Sequence, residues 1–127
     1  MISIDVELFN RIAPLLRQQF KGISVYPEYL NAPAKFPHVS IVEADNYTQQ
    51  SSVGLLNNEV AVNLLYEINV YSNKQNGKKQ EADKIMNVID DQMQDMGFIR
   101  TSKIPIANIE NATIYRIVAR YTKLQTR

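Results

Sequence analysis

The stretch KKQEADKIMNVIDDQMQDMG, residues 78–97, decides how the rest of the chain is read. Ala82, Ile85, Met86, Ile89, Met93 and Met96 recur every three or four residues, one stripe on a 3.6-residue helix, and Gly97 follows as a stop. Three of the chain's four methionines lie here, and at this spacing they read as adaptable core packing rather than as a binding face. The helix is flanked on both sides by alternating segments. Upstream, over Val60–Tyr71, Val62, Leu64, Tyr66, Ile68 and Val70 point one way while Asn63, Glu67 and Asn69 point the other. Downstream, Phe98–Lys103 reads as a strand broken by Pro105. The last strand, Thr113–Leu124, puts Tyr115, Ile117, Ala119 and Tyr121 on one face and Arg116, Arg120 and Thr122 on the other.

Moving towards the N-terminus, Val6, Phe9, Ala13, Leu16 and Phe20 trace a helical stripe from about Asp5 to Phe20. Pro14 removes a backbone donor and crowds the carbonyl of Asn10, which predicts a kink or a helix split in two. Ile23–Tyr26 is a short strand closed by Pro27, and Pro37 precedes another at His38–Val42. The order is α-β-β-β-α-β-β. The expected fold is α+β: a single domain over residues 1–127, with one mixed or antiparallel sheet of four or five strands and both helices on one face. Ala44–Glu59 reads as one long irregular segment, well beyond the usual connection of about 4–6 residues. A segment of this length is either functional or partly disordered; Val53, Leu55 and Leu56, embedded in its polar sequence as an exposed apolar cluster, tip the reading towards a partner-docking loop.

Composition narrows the function by exclusion. The chain has 127 residues, a net charge of +1 and no cysteine, so neither a disulfide framework nor thiolate chemistry is available. No apolar run approaches the roughly 20 residues of a membrane span, and no membrane partner is expected. Met1-Ile2-Ser3-Ile4-Asp5 offers neither a basic nor an apolar leader segment, so no secretory signal is expected either. His38 is the single imidazole, placed between a proline and a strand valine, and reads as a satisfied or surface histidine. Any histidine-dependent triad would have to use it, and no local signature supports one. Asp91 and Asp95, one helical turn apart, could hold a hard cation only weakly; a solvated helix face is the better description. The four glycines do not cluster into a phosphate-binding loop. The expectation is a non-enzyme with no catalytic residue, metal or cofactor.

Charge is distributed unevenly. Residues 98–127 carry Arg100, Lys103, Arg116, Arg120, Lys123 and Arg127 against Glu110, a net +5, whereas residues 1–97 carry a net −4. A nucleic-acid-binding ferredoxin-like domain using the basic C-terminal strands is one use of this pattern. Strand alternation weakens it by sending the tyrosines and arginines to opposite faces. Identical copies meeting head to tail, acidic patch on basic patch, use the dipole better and can close into a ring. Lys78 and Lys79 open the second helix and Asp90, Asp91 and Asp95 lie near its end, the reverse of what the helix dipole prefers. A partner surface is one account of that reversal; a well-buried apolar stripe that tolerates the penalty is the other. The two longest strands reach about 40 Å at roughly 3.3 Å per residue. Two helices can cover one face of such a sheet, leaving Glu67, Arg116 and Arg120 on a face that meets water or a neighbouring subunit. Glu67, Arg116, Arg120, Asp90, Asp91 and Asp95 are therefore the candidate subunit-interface residues.

Three segments also carry a likeness: FPHVSIVEADN at 36–46, YEINVYSNK at 66–74 leading into Gly77-Lys78-Lys79, and Met96-Gly97-Phe98 through Ala112-Thr113-Ile114-Tyr115-Arg116. Together they resemble the small tail terminator and neck proteins of long-tailed phages and prophages of Gram-positive bacteria. The resemblance implies a small α/β sandwich whose subunits form a hexameric ring. Such a ring caps the tail tube, halts its growth and presents the surface that joins the head, with DNA passing through the lumen unread. It also implies the tail-tube and neck or connector proteins as partners, and the virion, or the host cytoplasm during assembly, as the location. Another head-completion or neck protein is the neighbouring possibility. The resemblance carries no active site over to this chain.

Overall fold

The computed structural model describes residues 1–30, 33–48, 61–106 and 112–126. In chain order the elements are α1 (Asp5–Gln19), β1 (Ser24–Tyr26), β2 (His38–Thr48), β3 (Ala61–Ser72), α2 (Lys78–Asp95), β4 (Ile99–Ile106) and β5 (Tyr115–Thr126). The strands form one sheet in the order β1-β2-β3-β5-β4. β1 runs parallel to β2, and all other neighbours are antiparallel. The fold is thus α+β with a mixed five-stranded sheet, as the alternation and helical stripes predict.

One core joins both helices to the same face of the sheet. Leu8, Ile12 and Leu16 of α1 and Ile85, Ile89 and Met93 of α2 bury completely against Leu64, Tyr66, Ile68 and Tyr121. At about 25 cal/mol per Å² of apolar area, this burial is the main force holding the layers together. Three hydrogen bonds pin sheet to helices at fixed points. Tyr66 Oη donates to Asp5 Oδ1 at 3.0 Å, Tyr121 Oη to Asp90 Oδ1 at 2.7 Å, and Ser72 Oγ to Glu81 Oε1 at 2.6 Å. Burial raises the pKa of both tyrosines, and the acceptor carboxylates add to the effect, so each hydroxyl stays a donor.

Four expectations are corrected. The buried face of α1 is Leu8, Ile12, Ala13 and Leu16; Val6 is 74% exposed, and Phe9 and Phe20 only flank the core. Two apolar stripes overlap in this helix, and contact with α2 and the sheet selects one of them. Pro14 does not split α1, which runs as one helix from Asp5 to Gln19. Pro14 and Asn10 both lie on the exposed side, where water can satisfy the carbonyl that loses its donor. Pro105 does not end β4, which continues to Ile106. Among the described residues β4 is the outermost strand, where only alternate N–H groups bond to a neighbour and a proline is tolerated as it would not be in a central strand. Finally, residues 44–48 are not loop but the second half of β2, past a register shift between Glu43 and Asp45. That extra residue breaks the period-two pattern and hides the strand from a sequence reading. Val53, Leu55 and Leu56 lie outside the described residues.

Candidate functional site

The register fixes what the sheet presents on its side away from the helices, because directly opposed residues share a face. Crossing from β2 through β3 and β5 to β4, the rows are His38–Tyr71–Arg116–Ile106, Ser40–Asn69–Val118–Ile104, and Val42–Glu67–Arg120–Ser102. Beyond the β2 register shift come Asp45–Leu65–Thr122–Ile99 and then Tyr47–Asn63–Leu124. Two regimes appear on this face, one closed and one open.

The closed end is a buried polar cluster. His38 is 1% exposed, with Nδ1 3.2 Å from Ser24 Oγ and Nε2 3.2 Å from Ser40 Oγ. Its ring meets Tyr26 edge-on, with Tyr71 tilted beside it. Arg116 donates from Nε and one Nη to Asn69 Oδ1, at 2.9 and 2.7 Å. Its guanidinium also lies over the rings of Tyr29 and Tyr71, at 5.6 and 5.4 Å. Burial pushes Tyr71 up to about 12, with Arg116 pulling the other way and Tyr29 and Glu67 reinforcing the rise. Arg116 is therefore committed within its own chain. His38 is the satisfied histidine of the sequence reading, both ring nitrogens facing serine hydroxyls.

Burial also holds the His38 pKa below its ordinary 6.5, because the charged imidazolium loses hydration. Below about pH 6.5 the unfolded chain takes up a proton that the folded chain resists, so stability falls with acidification through that window. His38→Gln should flatten this fall. Urea unfolding between about pH 7 and about pH 5 measures it, and an unchanged slope in the variant would show that His38 does not contribute.

The open end is apolar around one ion pair. Ile99, Ile104, Leu124 and Tyr47 are 69%, 52%, 53% and 56% exposed, all on this face, with Val42, Leu65 and Ile106 half-buried among them. At its centre Arg120 Nη2 lies 3.9 Å from Glu67 Oε2, with both side chains reaching solvent. β4 is amphipathic in the opposite sense from a core strand. On its helix side Arg100 pairs with Asp90 at 3.2 Å and Lys103 with Asp83 at 3.6 Å, while its isoleucines face out.

The candidate interface residues thus separate. Glu67 and Arg120 come together on the open face, and Arg116 joins the closed cluster. Asp90, Asp91 and Asp95 lie on α2, across the sheet from them. Asp90 accepts from Tyr121 and Gln94 as well as pairing with Arg100, so it acts inside the molecule. Asp95 pairs with Arg11 of α1, and Asp91 is exposed. The charge reversal along α2 is offset locally, because Lys123 Nζ reaches from β5 to donate to the Met96 carbonyl at the helix end. The two tyrosines of β5 lie on the helix side, Tyr121 fully buried and Tyr115 packed against the core, so neither offers a ring for base stacking beside the arginines.

The outward isoleucines of β4 and the Tyr29–Arg116 contact escaped the sequence reading. The spacing of Ile104 and Ile106 carried a faint signal of the first, and nothing local signals the second. Among the described residues no group of three acidic, cysteine or histidine side chains could hold a metal ion, and no helix is long and apolar enough to cross a membrane. No protein-family model matches the chain, and no curated protein sequence matches it.

Proposed function

We propose that this protein is a structural subunit of a phage particle, a tail terminator that assembles as a ring, caps the tail tube and offers the surface that joins the head. One observation carries the proposal: exposed Ile99, Ile104, Leu124 and Tyr47 surround the Glu67–Arg120 pair on the sheet face away from the helices. Exposed apolar residues gathered on one face mark a protein-binding surface, and a charge pair among them helps fix its register. The uneven charge of the two chain segments supports head-to-tail contact between copies, and the likeness of residues 36–46, 66–74 and 96–116 to tail terminators supports the setting. Tail-tube and neck subunits are the other partners in this proposal, DNA passes the lumen without being read, and the protein works in the virion after assembly in the host cytoplasm. The non-enzymatic character belongs to the same proposal.

Light scattering on a sizing column should give a ring, or a mass that rises with concentration. A monomer that binds single-stranded DNA with steep salt dependence would instead favour nucleic-acid binding. Purified tails incubated with the protein and imaged in negative stain should carry it at one end; bare tail ends would refute the terminator role.

A further inference from the structure

The sheet has two incompletely paired edges, and their chemistry is complementary. On one side β1 covers only His38–Ser40 of β2, and no strand lies beside residues 41–47 among the described residues, although the N-terminal segment approaches at Asn46, whose Nδ2 donates to the Ile2 carbonyl at 2.9 Å. On the other side β4 is the outermost strand among the described residues. The β2 edge carries Glu43 and Asp45 and no basic residue, and the β4 edge carries Arg100 and Lys103 and no acidic one. Arg100 and Lys103 already pair with Asp90 and Asp83 of α2, and Glu43 accepts from Asn46, yet 43% of Arg100 and 32% of Lys103 stay exposed, so the unlike edges still offer each other opposite charge while like edges do not. Bulges on both strands and Pro105 on β4 further discourage promiscuous edge pairing.

We infer that the β4 edge of one copy adds to the β2 edge of the next, a seam that rests on the self-assembly proposed for this chain. Topology sets the direction. β2 and β4 run oppositely within one sheet, so copies related by rotation pair these edges antiparallel. One register satisfies both faces. Opposing Glu43 to Lys103 places the acid on the base on the helix side, and it opposes Val42 to Ile104, both apolar, on the open side. The same register puts Ala44 against Ser102 and Asp45 against Thr101. Asp45 of the added copy then lies two strands from Arg120, about 9–10 Å, within the combined reach of the two side chains. The seam is heterologous: each copy uses one edge of each kind, so repetition continues past a dimer and forms a ring when the rotation between copies closes.

The absence of cysteine from the native chain gives a clean test. Ala44→Cys and Ser102→Cys are made as separate full-length proteins, as are Asp45→Cys and Thr101→Cys, so that hydrogen-bonded and non-hydrogen-bonded pair geometries are both sampled. On mild oxidation, mixtures of the two partners should form a disulfide dimer, and each variant alone should not. Self-association of the native chain, read by light scattering, is measured in parallel. A chain that associates but cross-links in neither mixture overturns the seam and leaves ring assembly standing. Cross-links in single variants also overturn it, because they report like-edge contact. A chain that stays monomeric and uncross-linked at the highest soluble concentration overturns both proposals.

Discussion

Arg120→Glu is expected to reduce self-association at least tenfold while leaving the fold within about 1 kcal/mol of native stability. The native pair with Glu67 spans 3.9 Å between side chains that both reach solvent, and such pairs contribute about 0–1 kcal/mol. Reversal sets two carboxylates opposite one another across β3 and β5 and places a negative charge where the open face would meet the acidic edge of a neighbour. Repulsion at an interface costs more than it does on a free surface, because the contact excludes water. The double exchange Glu67→Arg with Arg120→Glu separates the two effects. It restores the internal pair, so any stability loss should recover, while a defect in association caused by the position of charge should persist. Urea unfolding and light scattering read the two quantities separately, and unchanged association in the single variant would remove Arg120 from the interface. Arg116→Glu is not equivalent. It breaks two hydrogen bonds to Asn69 and the stacking on Tyr29 and Tyr71, so it should destabilise the fold as well as any contact.

Tyr121→Ala should produce the largest loss of stability, about 3–5 kcal/mol. Its ring is fully buried between the sheet and α2, and truncation of a buried aromatic leaves a cavity that close-packed neighbours fill only partly. The substitution also removes the donor that Asp90 receives at 2.7 Å. Tyr121→Phe isolates that second contribution: the ring stays and the hydroxyl goes, for an expected cost of about 1–2 kcal/mol, because Arg100 and Gln94 still face the Asp90 carboxylate. Guanidinium unfolding of both variants checks the difference. Equal losses would place the whole effect in the hydrogen bond, and a loss below about 1 kcal/mol in the alanine variant would show that the site collapses around the gap.

Much of this molecule is legible one segment at a time. The stripe Ala82–Ile85–Met86–Ile89–Met93 specifies α2 and its buried side, because a helix brings residues three and four apart onto one line whatever surrounds it. Alternation over residues 61–72 and 115–121 likewise specifies two strands and their inward faces, and with the element order these yield the α+β class. The placement of Glu67 and Arg120 on the face away from the helices follows from the same periodicity, but their pairing waits for the sheet order that sets β3 beside β5. What local pattern leaves open is settled by neighbours distant in sequence. Two stripes compete on α1, and only contact with α2 and the sheet buries Leu8 and Ile12 while leaving Val6 in water. Asp90 reads as a surface carboxylate until β4 and β5 bring Arg100 and Tyr121 to it. The unfavourable acidic end of α2 finds its cation in Lys123, 27 residues away. Pro105 reads as a strand breaker until the sheet order places β4 at an edge, where a proline is tolerated because only alternate N–H groups bond to a neighbour. Periodicity is a property of neighbouring residues and is written in the sequence, whereas a charge or a missing donor is judged by whatever the folded chain sets beside it.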